Sequence, residues 1–107
     1  MGRMVYDGNS VLDIDDRTLS HLQVVIGNKL RRSETFLFTW LHPDGGEVGR
    51  TVVWMHPDMA LQFQYADRAA PALNRTWLEE LSIAANSSAG LKPMPEPDDA
   101  VRPRAAG

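Results

Sequence analysis

The sequence contains no cysteine, only two lysines, and no apolar run long enough to span a bilayer. Without cysteine there can be no disulfide framework, thiolate zinc site, iron–sulfur cluster or cysteine nucleophile, and the absence fits a reducing compartment. Uninterrupted apolar stretches such as Val52-Val53-Trp54-Met55 fall far short of the roughly 20 residues of a membrane helix. The start, residues 1–8, holds an acid and two glycines where a signal peptide would carry its apolar core. A cytoplasmic protein with no membrane partner is expected. Excess positive charge is missing too: 11 Lys plus Arg stand against 14 Asp plus Glu, a formal charge of -3. That balance argues against the strongly basic face that non-specific nucleic-acid binding needs.

What is present suits one small domain. The 107 residues are 43% hydrophobic and 23% charged, the proportions of an ordinary folded chain. Pro93, Pro95, Pro97 and Pro103 mark a change of composition near the end, where few apolar residues remain to offset the entropy of ordering. Residues 1–95 are therefore read as a single folded domain and 96–107 as a flexible, charged, Pro-containing tail.

Residues 4–6 and 11–14 flank Asp7-Gly8-Asn9-Ser10, a turn signature that predicts a β-hairpin. Asp15 or Asp16 can cap a helix running to about Arg32, with Leu19, Leu22, Ile26 and Leu30 on one stripe. Phe36, Phe38 and Trp40 alternate along a strand over 35–41, and a loop over 42–49 leads to a second strand over 50–56. A third strand over 60–65 alternates Leu61, Phe63 and Tyr65 with Gln62 and Gln64, which implies one buried and one wet face. A helix over 74–86 puts Leu73, Trp77, Leu81, Ala84 and Ala85 on its apolar side. Gly90 serves as its stop, and 91–94 is a possible edge strand. The expected fold is α+β: an antiparallel sheet of about five strands with two helices on one face, in the order ββαβββα(β).

The blocks from His21 to Arg32, Phe36-Leu37-Phe38-Thr39-Trp40, Trp54-Met55-His56-Pro57, Asn74-Arg75-Thr76-Trp77 and Ala85 to Leu91 resemble a family of small actinobacterial proteins of unknown function. The resemblance spans roughly residues 1–96. Members of that family often carry the label ATP-dependent DNA ligase, so the resemblance implies a link to DNA metabolism. The label names a chemistry that the residues can test. Such ligases resemble other nucleotidyltransferases in using a Lys-x-Asp-Gly lysine as nucleophile. Here Lys29 is followed by Leu-Arg-Arg and Lys92 by Pro-Met-Pro. The chain by itself is no ligase, although an accessory domain of one stays open.

Catalysis has no visible constellation: no phosphate-binding glycine motif, no nucleophile elbow and no paired carboxylates beyond Asp13, Asp15 and Asp16. No cofactor is implied. The echo Trp40-Leu41-His42-Pro43-Asp44 and Trp54-Met55-His56-Pro57-Asp58 suggests a metal site at first sight. In a hairpin, however, the two histidines fall at opposite ends, roughly 20 Å apart at about 3.3 Å per residue. A repeated strand terminator is the simpler reading, because proline halts the ladder and aspartate favours turns.

On the first helix His21 projects away from the leucine stripe, near Asn28 and Arg32 and flanked by Val24, Val25 and Arg31. His21, Asn28, Lys29, Arg31 and Arg32, joined by Arg50, form a candidate binding patch for phosphate or a partner protein, set against a plain solvated helix end. A second candidate is the sheet face left uncovered by the helices, with Thr35, Leu37, Thr39, Gln62, Gln64 and alternate positions among 52–55. A homodimer or a partner protein is expected there. The function expected is a non-enzymatic interaction domain; the rival is a ligase accessory domain or weak nucleic-acid-binding module.

Overall fold

The structure, a computed structural model, describes residues 1–43 and 47–98. Residues 44–46 of the expected loop and 99–107 of the expected tail lie outside the described residues. The elements run β1 (Gly2–Tyr6), β2 (Ser10–Ile14), α1 (Asp16–Arg31), β3 (Phe36–Leu41), β4 (Arg50–Met55), β5 (Leu61–Gln64) and α2 (Arg75–Ala85). The α+β class and the order ββαβββα are those expected.

The strands do not form one sheet. β1 lies between β2 and β5, while β3 and β4 form a separate antiparallel ribbon. Consecutive strands usually pair, but the segment after β4 contains Pro57, which has no N–H for a ladder. The chain instead carries β5 back to β1, matching Arg3 with Gln64 and Tyr6 with Leu61. The N–H of Asp7 closes that crossing on the Ala60 carbonyl at 2.9 Å. Asp7 and Gly8, at φ 53° and 93°, make the left-handed turn between β1 and β2.

The termini of both helices follow from local chemistry. Asp15 caps α1 by accepting from the Thr18 N–H at 3.0 Å, and Asn74 caps α2 by accepting from the Trp77 N–H at 3.0 Å. At the end of α1 the N–H groups of Ser33 and Glu34 reach the carbonyls of Leu30 and Lys29. This is a Schellman closure in which Ser33 takes the left-handed place, at φ 61°, that glycine usually fills. Gly90 is not the stop of α2, which ends at Asn86. At φ 87° Gly90 instead lets the chain close on β3, where a Cβ would meet the Leu37 carbonyl oxygen at 2.5 Å. Leu91 then makes a single parallel bridge to Phe38, and Pro93 prevents its extension into the expected strand.

The core unites the inner faces of both sheets with both helices: Met4, Leu12 and Ile14, Phe36, Phe38, Val53 and Met55, and the helix residues Leu19, Leu22, Ile26, Trp77 and Leu81. α1 packs on β1, and α2 packs on β3 and on α1. That last contact corrects the expected solvated face of α1. His21, Val25 and Lys29, four residues apart, form a second buried stripe against α2. Only Val24 of the two flanking valines stays partly exposed. Leu73, expected on the apolar side of α2, is exposed.

Candidate functional site

Of the six residues proposed for a binding patch, Asn28, Lys29 and Arg32 border one small hollow of about 110 Å³ with Ser82 and Asn86 of α2, and His21, Arg31 and Arg50 are not part of it. His21 is fully buried. Its Nδ1 lies 2.7 Å from the Arg17 carbonyl, and its Nε2 accepts the Asn74 N–H at 2.8 Å. A backbone amide can only donate, so Nε2 carries the lone pair and Nδ1 the hydrogen. The ring also lies 4.5 Å from the Trp77 ring, centroid to centroid. Lys29 is buried as well, donating to Asn86 Oδ1 at 2.8 Å and pairing with Glu34 at 3.0 Å, with the Phe36 ring 5.6 Å away. Arg32 pairs with the same Glu34 at 3.1 Å. Lys29 foremost, then Arg32, holds that carboxyl below its ordinary range. Asn28 and Arg31 are exposed. Arg50 is exposed at the far end of the ribbon, opposite Leu41, whereas the α1 end feeds the near end, where Phe36 faces Met55. No basic groove joins them.

The buried His21 and Asn74 adjoin a clasp at the surface. Arg17 donates from Nε and Nη2 to the two Glu96 oxygens, both at 2.7 Å, and from Nη1 to the Ala72 carbonyl at 3.0 Å. Asn74 donates from Nδ2 to Glu96 at 2.9 Å and to the Pro97 carbonyl at 2.8 Å. The Trp77 indole donates to the Met94 carbonyl at 3.2 Å. The segment 92–97 is thus strapped across the starts of α1 and α2, and the first two residues of the expected tail are held against the body. Arg17 chiefly, then Asn74, pulls the Glu96 carboxyl down to about 2. Beneath the strap lies an open cavity of about 430 Å³ bordered by Trp40, Trp77, Lys92 and Met94. The Trp40 indole nitrogen is buried without a hydrogen-bond partner among the described residues.

The outer face of the β3–β4 ribbon is different in kind. The register sets Leu37 beside Trp54, Thr39 beside Val52 and Leu41 beside Arg50, so these six side chains share the face opposite the core. Trp54 is 58% exposed, Leu41 49% and Val52 48%, with Val48 exposed nearby. A shallow hollow of about 290 Å³ beside Trp54 is completed by Leu37, Ser87 and Ser88. Large apolar side chains clustered in this way mark interaction surfaces more often than scattered ones do. The wet-face residues Gln62 and Gln64 lie on the other sheet, so the expected uncovered face is two surfaces. Sequence reasoning did not single out Trp54 or Val52, because β4 is apolar on both faces and its alternation does not say which face turns inward.

Of the repeated segments, Trp40-Leu41 and Trp54-Met55 end β3 and β4, and His42-Pro43 and His56-Pro57 follow them. His42 lies at one end of the ribbon, with Nε2 2.7 Å from Thr51 Oγ1, and His56 follows Met55 at the other. No group of three His, Asp or Glu side chains among the described residues could hold a metal ion. No helix among them is long and apolar enough to cross a membrane. No curated protein and no solved structure matches the chain. A family model, described as a domain of unknown function (DUF7882), matches residues 1–96, and the chain belongs to that family.

Proposed function

We propose that this chain is a non-enzymatic interaction domain that docks a protein partner on the outer face of its β3–β4 ribbon. The observation that carries the reading is Trp54, 58% exposed beside Val52 and Leu41, on a strand that pairs on one side only among the described residues. An exposed tryptophan with aliphatic neighbours is the composition of an interface centre. The cations of the candidate patch support the reading by contrast, since Lys29 and Arg32 are engaged by Glu34 and the two others are Arg31 and Arg50.

The rival, a ligase accessory domain or weak nucleic-acid-binding module, rests on the family resemblance. A basic stripe is its physical requirement, and Arg31 and Arg50 lie apart. The test is affinity capture from the source cell's lysate, with and without nuclease, using wild type and Trp54→Lys. A partner retained through nuclease treatment and lost with Trp54→Lys is the expected result. Loss of all partners on nuclease treatment would move the function to nucleic acid.

A further inference from the structure

We propose that β4, the strand that bears this surface, pairs along its free edge with a second copy of the chain, β4 to β4 in antiparallel fashion, to make one four-stranded sheet. The inference rests on the docking surface proposed above, which such a pairing would make continuous across two copies, and adds the identity and register of the edge's partner.

The argument begins with the direction of backbone groups. The His42 N–H donates to the Gly49 carbonyl at 2.9 Å, continuing the register in which Trp40 faces Thr51 and Phe38 faces Val53. Bonded pairs recur at every second residue, so Thr51, Val53 and Met55 direct their N–H and C=O groups to β3. Arg50, Val52 and Trp54 direct theirs the opposite way. The other edge of β3 agrees with this parity, because the Thr39 N–H is turned away from β4 and donates to the Leu91 carbonyl at 2.8 Å. The far edge of β4 therefore offers a donor and an acceptor at each of three residues, and no strand pairs with it among the described residues.

The same three residues carry their side chains on the outer face. If Val52 faces Val52 of the partner subunit, then Arg50 faces the partner's Trp54, and Trp54 faces the partner's Arg50. Every outward backbone group is used, and each guanidinium lies over an indole face, a favourable cation–π placement. Neighbouring registers are poorer. Sliding the strands one way draws the two guanidinium groups together. Sliding them the other way sets Arg50 against His56, whose carbonyl is already engaged by the Met59 N–H at 3.2 Å. The strand is thus complementary to itself in one register, which an unrelated extended chain would have to match by its own sequence. The interface is short by the standards of stable complexes, so association belongs at micromolar concentration.

Sedimentation equilibrium of the full chain from about 1 to about 200 µM tests this. Wild type should pass from monomer to dimer. Val52→Pro removes an outward N–H and no bond to β3. It should raise the dimer Kd at least about tenfold while leaving the circular dichroism of the monomer unchanged. Val52→Lys should do the same and guards against a fold defect in the proline variant. Arg50→Glu should also weaken the dimer. A wild type that stays monomeric throughout, or dimers unaffected by Val52→Pro and Val52→Lys, would overturn the proposal. A monomeric wild type that still loses a captured partner with Trp54→Lys would overturn the dimer alone and keep the docking surface.

Discussion

Asn74 is 4% exposed, and every polar atom it has is engaged, from the His21 ring to Glu96, Pro97, Trp77 and Leu78. Trp54 is 58% exposed and stands on a strand with one edge unpaired among the described residues. The clasp around Asn74 and the ribbon around Trp54 share a core but solve opposite problems. In the clasp, buried polar groups are matched to one another, so losing one strands its partner away from water. In the ribbon, apolar side chains and backbone groups remain in water, where removing them strands nothing. Polarity and chemical variety therefore mark the structural region here, and plain aliphatic and indole surface marks the region proposed to bind.

Substitutions should separate the two regions. The largest effect is expected for His21→Leu, which leaves the Asn74 N–H buried without an acceptor. A loss of about 2–3 kcal/mol is expected in urea unfolding. Asn74→Ala removes the cap of α2 and two bonds to the strap, and should cost about 1–2 kcal/mol by the same measurement. If either variant unfolded with the wild-type midpoint, the clasp would not be the structural half of the comparison.

A gentler break comes from pH. The Glu96 carboxyl, held at about 2 against an ordinary 4.5, favours the folded strap once ionised. That contribution is complete above about pH 4.5 and is lost as pH falls toward about 2. The Trp77 indole N–H, bonded to Met94 within the strap, should shift in NMR spectra across this window. Glu96→Gln should abolish the transition, and persistence of the transition in that variant would assign it to another group. The smallest stability effect is expected for Trp54→Lys, within about 0.5 kcal/mol of wild type. A loss comparable to that of Asn74→Ala would show that the indole supports the fold instead of awaiting a partner.

Much of the fold was legible because its signals are local. Asp15 and Asn74 announce the helix starts, and Phe36 and Phe38 announce the inner face of β3. Long-range choices were not. Nothing adjacent to Leu61 tells that β5 will pair with β1 across some 55 residues, or that Glu96 will meet Arg17, 79 residues away. His21 was misplaced for a related reason: a helix touching both a sheet and another helix buries two stripes, and the polar one resembles a solvated face. The exposed half of β4 was hidden because Val52 and Val53 are the same residue type on opposite faces.

Hydrogen exchange of the β4 amides, followed as protein concentration rises, addresses the ribbon most directly. The amides of Val52 and Trp54 should exchange rapidly in dilute solution and become protected at about 200 µM, while that of Val53, bonded within the ribbon, should be slow throughout. Protection of Val52 and Trp54 at the lowest concentration, or rapid exchange at every concentration, would contradict the assignment of this edge to a second copy.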